Sequence, residues 1–279
     1  MAMCLVLVGW QVHPLYAVVI AANRDEVYRR AAKPVAWREI NDFPMLCGLD
    51  VGSGGTWLGI TNRGRIAAVT DVPVVRTGLP VTKRGVRSRG VLVPEFLAAD
   101  VPPARQAPTL ASTSTTSDFD GFNLLLGDVA AGELWWASNI AGRAEALAPG
   151  VHGISNIAEV NPGWPKVVTG RAEFQRVLEE DDGTDGWIDA YLEVLSGRGA
   201  RRMAPISELP DTGIALPLRK MLSARRVRMG IYGTRASTVL RIRHDGTFDL
   251  TERRFGRVRR IGETRMRGRL DTVAADPGH

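Results

Sequence analysis

The sequence contains little cysteine and no long hydrophobic run. Its 279 residues include only two cysteines, Cys4 and Cys47, so at most one disulfide could form. Small secreted domains that depend on disulfides carry many more. No apolar stretch reaches the roughly 18 to 20 residues that span a bilayer, and the opening MAMCLVLVGW lacks the basic segment of a signal peptide. The sequence therefore predicts a cytoplasmic protein with free thiols.

Lysine is also scarce, and the basic charge lies mostly near the carboxyl end. Residues 219–269 hold 16 Arg and Lys against 4 Asp and Glu, whereas the net charge of the whole chain is only +6. Only four residues of the chain are Lys, so the arginine excess is typical of a GC-rich genome. No helix-turn-helix, zinc-finger or RNA-binding aromatic signature accompanies it, and we expect no nucleic-acid partner. A weak contact of these arginines with an anionic membrane is a further expectation.

Hydrophobic alternation predicts strands at both ends of the chain and helices between them. Short apolar runs at residues 4–10 and 16–22 and a hairpin that turns at Gly64 open the chain. Two helical segments follow within residues 165–197, and a last hairpin turns at residues 245–246. This order indicates an α+β protein with mainly antiparallel sheets.

Two segments lack this periodicity. Residues 100–120 are rich in Pro, Ser and Thr, which predicts a mobile loop. The basic residues after about 256 form a tail that we expect to be flexible. Because the loop is too short to separate two hydrophobic cores, we expect a single domain over residues 1–279.

Four polar clusters interrupt or end the apolar strands, where a sheet presents side chains to a site. They are NRDE (Asn23–Glu26), GGTWLG (Gly54–Gly59), HGISN (His152–Asn156) and YGTR (Tyr232–Arg235). Taken alone, NRDE fits a solvated turn equally well. Together with Cys4 it gains chemical meaning, because a nearby guanidinium favours the thiolate form that acts as a nucleophile.

Two further residues of these clusters are candidates for the site. Asn156 carries an amide that can donate to an oxyanion, and loss of such a donor costs on the order of 10² to 10³ in rate. A turn-capping role explains Asn156 equally well. Trp57 is expected in the core or in a pocket wall. We predict no metal site.

The order and wording of the motifs resemble the NRDE family, also called transport and Golgi organization protein 2. The matching stretches are MC (3–4), AANRDE (21–26), GGTWLG, SRG (88–90), GFNLL (121–125), HGISN, WPK (164–166), YGTR followed by STV, and ERRF (252–255). They extend from Cys4 to about Phe255. Nearly the whole chain therefore takes part in the resemblance.

This arrangement is also similar to the cysteine branch of the N-terminal nucleophile hydrolases, which includes penicillin V acylase and bile salt hydrolase. The resemblance implies a four-layer αββα sandwich and cleavage of a small non-peptide amide or ester. It implies these roles: Cys4 as nucleophile with its own α-amine as base, Arg24 and Asp25 as supports, Asn156 in the oxyanion hole, and Arg235 bracing the thiol pocket.

One position departs from the family pattern, and the mechanism makes one demand on the chain. Where the family tends to read TN, this chain reads TD at Thr70 and Asp71, and an ionised Asp cannot donate to an oxyanion. The mechanism also requires a free α-amine on Cys4. We therefore expect the active chain to start at Met3, which is then removed, or residues 1–3 to be cleaved off.

The family is also linked to haem handling and membrane traffic, which supports an alternative function. The protein would then carry haem or another amphipathic molecule without hydrolysis, with Cys4, His13 and His152 as candidate axial ligands. Asn23, Trp57 and His152 are the residues that we expect to contact a bound ligand. No CxxCH motif is present, so covalent haem attachment is excluded.

Overall fold

The computed structural model describes residues 3–76, 79–81, 87–112, 118–197 and 204–271. The strands are β1 (Met3–Trp10), β2 (Tyr16–Val27), β3 (Ala32–Ile40), β4 (Phe43–Asp50), β5 (Leu58–Ile60), β6 (Arg65–Asp71), β7 (Val74–Arg76), β8 (Leu79–Val81), β9 (Phe122–Asp128), β10 (Glu133–Ser138), β11 (Arg143–Ala146), β12 (Gly150–Ile154), β13 (Arg228–Met229), β14 (Tyr232–Arg243), β15 (Thr247–Phe255) and β16 (Arg260–Arg269). The helices are α1 (Leu92–Ala98), α2 (Pro103–Ala111), α3 (Pro165–Glu180), α4 (Gly186–Ser196) and α5 (Leu216–Met221).

Within the described ranges, the strands form two seven-stranded antiparallel sheets and one short hairpin. The first sheet has the order β12-β1-β2-β14-β15-β16, with β13 pairing to β14. The second sheet has the order β11-β10-β9-β6-β5-β4-β3, and β7 pairs with β8 alone. Strands from both ends of the sequence therefore meet in the first sheet, where β2 lies between β1 and β14.

The two sheets face each other across an inner hydrophobic core. Alternate residues of β1 and β2 point into it, because successive side chains of a strand leave opposite faces. On the first sheet these are Val6, Val8, Val18 and Ile20, and they pack in one cluster with Ile60, Ile66, Leu125 and Trp136 of the second sheet. Both faces of β1 and β2 are buried, which explains the apolar sequences of β1 and of β2 up to Ala22.

Helices cover the outer face of each sheet. On the first sheet, Leu7 and Val19 share a core with Phe174 of α3 and Leu195 of α4. On the second sheet, α1 and α2 enclose a separate core. The layers follow the order helix, sheet, sheet, helix, and this confirms the predicted αββα sandwich.

The turns and helix ends that the sequence predicts are also confirmed. β5 and β6 pair around Gly64, whose φ of +79° is the left-handed conformation that glycine adopts readily. Gly197, at φ +64°, ends α4. Pro94 lies in the first turn of α1, where its missing N–H costs no hydrogen bond.

The loop expected over residues 100–120 is wrong in part, because α2 occupies residues 103–111. Pro103 is its first residue, and Ala107 and Ala111 are buried against the second sheet. The sequence did not predict this helix, because Pro108 lies inside it and its buried residues are small. Residues 113–117 lie outside the described part of the chain.

The flexible tail expected after about residue 256 is also wrong for residues 260–269, which form β16. This strand pairs with β15 along its length, and Glu263 accepts a hydrogen bond from Arg253 at 2.8 Å. Most residues of β16 are exposed, so the strand shows no apolar alternation. Residues 272–279 lie outside the described part of the chain, and no described helix is long and apolar enough to cross a membrane.

Candidate functional site

The pairing of β1 with β2 places the amino-terminal cysteine beside the NRDE motif. In the antiparallel ladder Cys4 lies opposite Arg24, and Met3 lies opposite Asp25. Opposite residues of such a ladder have Cα atoms about 4.5 to 5.5 Å apart. The backbone of Cys4 is therefore next to the residue that carries the predicted supporting charge.

Successive residues of the motif serve opposite faces of the first sheet. On the inner face, Nη2 of Arg24 donates to Oδ2 of Asp50 in β4 at 2.8 Å. The guanidinium carbon of Arg24 also lies 4.4 Å from the ring centroid of Trp57, so the indole packs on the charged group. On the outer face, Asp25 accepts a hydrogen bond from Oγ1 of Thr234 at 2.6 Å.

Arg24 is a buried cation whose hydrogen bonding is incomplete. Its Nη1 is buried and has no hydrogen-bond partner among the described residues. Burial alone would raise the pKa of Asp50, but hydrogen bonds and charges from Arg30 and Arg24 outweigh it and lower that pKa. Arg30 shares this carboxylate, with Nε 2.6 Å from Oδ2. Glu26 also forms an ion pair with Arg30, with 3.7 Å between Nε and Oε2, so two carboxylates face the two guanidiniums. Nη1 of Arg24 nevertheless keeps a donor that a bound ligand can use.

Asp25 lies in a buried polar pocket on the helix side of the sheet. Burial raises the pKa of its carboxyl, while the hydrogen bond from Thr234 and the charges of Lys166 and Arg24 oppose the rise. Oγ1 of Thr234 in turn accepts from the backbone N–H of Val227 at 3.0 Å. The carboxyl of Asp25 is thus held in one orientation from its own side of the sheet.

The amide of Asn156 is oriented by contacts at both of its ends. Its Nδ2 donates to the backbone carbonyl of Asp71 at 3.0 Å, and its Oδ1 accepts from Nζ of Lys166 at 3.0 Å. Oγ of Ser155 also donates to Oδ1, at 3.1 Å. An amide nitrogen has two N–H groups, and the Asp71 carbonyl uses one of them. Asn156 therefore both braces the end of β6 and retains a second donor.

Asp71, the position that departs from the family pattern, is buried at the end of β6. Its Oδ1 forms an ion pair with Nη1 of Arg89 at 2.7 Å, and its buried Oδ2 has no hydrogen-bond partner among the described residues. Burial raises the pKa of Asp71 to about 6, against the attraction of Arg89. Below that pH the carboxyl carries a proton and can donate a hydrogen bond, which the sequence alone does not indicate.

Arg235 acts on the turn that follows β2. Its Nη1 donates to the backbone carbonyls of Val27, Tyr28 and Arg30, at 3.1, 2.8 and 2.9 Å. Burial lowers the pKa of Arg235, and the positive charge of Arg24 adds to this effect. Arg235 therefore orders the segment that presents Arg30 to the site. Its contact with the thiol stays a prediction.

Asn23 has a structural role, which corrects its assignment as a ligand contact. Its Nδ2 donates to the backbone carbonyls of Leu195 at 3.0 Å and Arg225 at 2.8 Å. Its Oδ1 accepts from Oγ of Ser237 at 2.6 Å. Because both N–H groups are occupied, Asn23 joins β2 to the helix layer and has no donor left for a ligand.

The structure does not bring the three candidate haem ligands together. His152 lies opposite Val8 in the ladder, four residues along β1 from Cys4, or roughly 13 Å away. His13 is buried in the turn between β1 and β2, at the other end of β1 from Cys4. The three residues are therefore spread along β1 and are not gathered at one ligand site.

A cavity of about 1100 Å³ opens on the helix side of the first sheet. It lies among the start of α3, the end of α4 and residues 221–229, and Lys166, Arg225, Met221 and Met229 are among its lining residues. Lys166 also contacts Asn156, so the cavity reaches the polar cluster. The sequence did not predict this cavity, because its walls come from segments far apart in the chain.

Sequence reasoning missed Asp50, Lys166 and Glu252 as members of this region. All three are buried, and Oε1 of Glu252 accepts from the backbone N–H of Val35 at 3.1 Å. Lys166 and Glu252 belong to the WPK and ERRF motifs, and a charged residue within a matching motif is a signal that could have identified them. Among the described residues, no group of His, Cys, Asp and Glu side chains could hold a metal ion.

The chain is similar to two solved structures at low sequence identity. One is an ortholog of N-acylethanolamine-hydrolyzing acid amidase from Caenorhabditis elegans, with a TM-score of 0.46 and 12% identity, covering 85% of this chain and 92% of that chain. The other is penicillin V acylase from Agrobacterium tumefaciens, with a TM-score of 0.43 and 13% identity, covering 89% of this chain and 82% of that chain.

The chain has higher sequence identity to one protein family than to these solved structures. Residues 3–257 match the family model described as Transport and Golgi organisation 2. The chain is 33% identical over 265 residues to the Transport and Golgi organization protein 2 homolog of Bos taurus, and 31% identical to that of Homo sapiens. Each of these matches covers 90% of this chain and 92% of the relative. The protein belongs to the Transport and Golgi organisation 2 family.

Proposed function

We propose that the protein is a cysteine amidohydrolase that cleaves a small non-peptide amide or ester. The observation that supports this most is the register of β1 on β2, which sets Cys4 opposite Arg24. A thiol is a strong nucleophile only as the thiolate, and a neighbouring guanidinium favours that form. Cys47 does not have this setting, because burial raises the pKa of its thiol to about 11.

The proposed reaction proceeds through a thioester. The α-amine of Cys4 takes the thiol proton, and the thiolate attacks the substrate carbonyl to form a carbon–sulfur bond. The tetrahedral oxyanion collapses, the bond to the amine or alcohol breaks, and the leaving group receives the proton from the α-ammonium. Water, deprotonated by the same amine, then hydrolyses the thioester and releases the acid.

The polar groups near β6 supply the stabilisation that this oxyanion needs. Asn156 retains one amide N–H, and Lys166 holds its carbonyl end in place. Loss of one oxyanion donor typically lowers the rate on the order of 10² to 10³. Asp71 can add a second donor only when it is protonated, below about pH 6. The α-amine acts as a base only when it is unprotonated, so the proposed enzyme relies on Asn156 at neutral pH and above.

The cavity beside Lys166 has room for a small molecule and lies on the helix side of the first sheet with Asp25, whereas Arg24 lies on the inner face. Its volume of about 1100 Å³ is at the upper end of ordinary ligand pockets. The lining combines the apolar side chains of Met221 and Met229 with the charged groups of Lys166 and Arg225. A substrate with an apolar acyl part and one polar group fits this mixture.

Intact-mass analysis after treatment with an activated acyl ester tests the proposal. A chain that begins at Cys4 is expected to gain one acyl group and to lose it again on further incubation. Cys4→Ala should gain none, whereas Cys47→Ala, the matched control, should behave as the parent chain. Failure of the parent chain to form an adduct, or an adduct that survives in Cys4→Ala, would show that Cys4 is not the nucleophile.

A further inference from the structure

The turn between β15 and β16 projects basic and apolar side chains together. Residues 253–262, RRFGRVRRIG, contain five arginines and no Asp or Glu. Within this turn Val258 is 81% exposed, and Ile261 at the start of β16 is 57% exposed. Arg257 and Arg259 are exposed as well, and neither forms an ion pair with a described residue. The free energy of hydrating two large apolar side chains is unfavourable, so their exposure here calls for a partner.

A second turn with the same character lies at the same end of the sheet. Ile231, between β13 and β14, is 76% exposed, and Arg228, the first residue of β13, is exposed without an ion pair to a described residue. Ala236 lies opposite Arg254 in the ladder, so the start of β14 and the end of β15 point to the same end of the sheet. Both turns therefore extend beyond the same end of the strands in the first sheet.

The exposed residues of these two turns lie at one end of the first sheet, which we call the sheet tip. The sheet tip consists of Ile231, Val258, Ile261, Arg228, Arg257 and Arg259. Single exposed apolar residues are ordinary on protein surfaces, but a group of three surrounded by unpaired arginines marks an interaction surface.

We propose that the sheet tip docks on an anionic membrane surface. Arginines gain binding free energy close to acidic headgroups, and apolar side chains gain it by entering the boundary between headgroups and acyl chains. The charge of the tip matches such a surface, and its three aliphatic side chains match the apolar layer beneath. A nucleic acid would satisfy the arginines, but it would leave Val258 and Ile261 without a partner.

Docking in this way would turn the candidate site toward the lipid. β2 ends at Val27, which lies opposite Tyr232 at the same end of the sheet as the tip. Arg24 is three residues before Val27. At about 3.3 Å per residue, this distance is roughly 10 Å along the strand. The proposal itself rests on the surface alone and is independent of any hydrolysis at Cys4.

Vesicle binding tests the proposal with the full chain. Vesicles of phosphatidylcholine with about 30 mol% phosphatidylserine, at a salt concentration of about 0.15 M, should bind the protein, and vesicles of phosphatidylcholine alone should not. Arg257→Gln with Arg259→Gln should weaken binding on the order of tenfold or more. Val258→Ser with Ile261→Ser should also weaken it severalfold, because the apolar contribution is lost.

Matched variants separate a specific surface from general charge or hydrophobicity. Arg105→Gln with Arg176→Gln removes two exposed arginines from α2 and α3, and Val12→Ser with Leu15→Ser removes two exposed apolar side chains from the turn between β1 and β2. Both should bind as the parent chain does. These four double variants change exposed side chains, and circular dichroism with a thermal melt checks that each is folded.

Three results would overturn the proposal. The first is equal binding to both kinds of vesicle, or to neither. The second is a loss in the control variants as large as the loss in the tip variants. The third is full vesicle binding by Val258→Ser with Ile261→Ser, which would reduce the tip to a general polyanion site, open equally to nucleic acid.

Discussion

Asn23 and Arg24 are adjacent in β2, yet their side chains form hydrogen bonds on opposite faces of the first sheet. Asn23 donates to the backbone carbonyls of Leu195 and Arg225 on the helix side. Arg24 donates to Asp50 in the facing sheet. A strand alternates its side chains between two faces, so one short motif both anchors the helix layer and places a charge between the sheets.

Asn23→Ala is expected to destabilise the fold without changing the chemistry of Cys4. It removes three hydrogen bonds, each worth about 1 kcal/mol, so the free energy of unfolding should fall by about 3 kcal/mol. Urea denaturation measures this loss. The alkylation rate of Cys4 in the folded variant should match that of the parent chain. A slower rate with unchanged stability would instead give Asn23 a direct role in the site.

Arg24→Leu, unlike Asn23→Ala, is expected to slow alkylation of Cys4 by iodoacetamide. Without the guanidinium the thiol pKa rises, and a rise of about one unit lowers the thiolate fraction about tenfold at neutral pH. Arg24→Lys, which keeps the charge, should recover most of the rate. Peptide mapping distinguishes Cys4 from Cys47, which should not react because it is fully buried.

Arg30→Leu is the matched control for this experiment. Arg30 binds the same carboxylate, Asp50, but it is half-exposed and lies beyond the end of β2. Its removal should leave the alkylation rate of Cys4 nearly unchanged. Equal slowing in Arg24→Leu and Arg30→Leu would mean that loss of order around Asp50, rather than the charge beside Cys4, controls the thiol.

Local patterns predict the antiparallel strands well, and the family resemblance adds the sandwich. β1 and the first half of β2 are apolar runs, and Gly64 and Gly197 mark a turn and a helix end through their own backbone preference. β16 has no such pattern. Its pairing with β15 and the hydrogen bond from Arg253 to Glu263 specify it, and these contacts connect residues that only the folded sheet brings together.

The candidate site is less predictable from the sequence than the strands are. The motifs identify Arg24 and Asp25, and the ladder places Arg24 opposite Cys4 and Asp25 opposite Met3. They do not reveal which face each residue serves, because that depends on what packs against the strand. Lys166 shows the difficulty, because an isolated lysine in a helical pattern is expected at the surface. Its hydrogen bond to Asn156, which only the structure shows, explains why it is buried.

Asp71 is expected to make the stability of the protein depend on pH. Folding raises the pKa of this carboxyl from 3.8 to about 6. A raised pKa stabilises the folded state at low pH, and this contribution is lost as the pH rises from about 4 through 6. The charged groups facing Asp71 are Arg89, which opposes the rise, and Asp120 and Glu26, which add to it.

Comparison with Asp71→Asn isolates this effect, because Asn does not titrate. Between pH 4 and 7 the parent chain should lose about 3 kcal/mol of unfolding free energy relative to the variant. Arg89 keeps the backbone carbonyl of Gly121 as an acceptor, at 2.8 Å, so the variant should still fold. Parallel stability curves for the two proteins, measured by urea denaturation across this range, would show that Asp71 titrates normally.

Exposure of the Cys4 α-amine is expected to decide whether the proposed enzyme is active. Met3 continues β1 and lies opposite Asp25, so a chain that retains it has a peptide nitrogen on Cys4. An amide nitrogen has no lone pair available for a proton, whereas a free α-amine has a pKa of about 8. A chain that begins at Cys4 should therefore hydrolyse p-nitrophenyl esters, and a chain that retains Met3 should not.

Two controls make this comparison specific to the amine. Both chains should alkylate at Cys4, because Arg24 lies opposite that residue in either case. Cys4→Ser in the shortened chain keeps the α-amine but weakens the nucleophile, and it should lower the hydrolysis rate strongly. Full activity in the chain that retains Met3 would rule out the α-amine as the base. The proton acceptor would then have to be a side chain, and Asp25, whose pKa burial raises, would be the first to substitute.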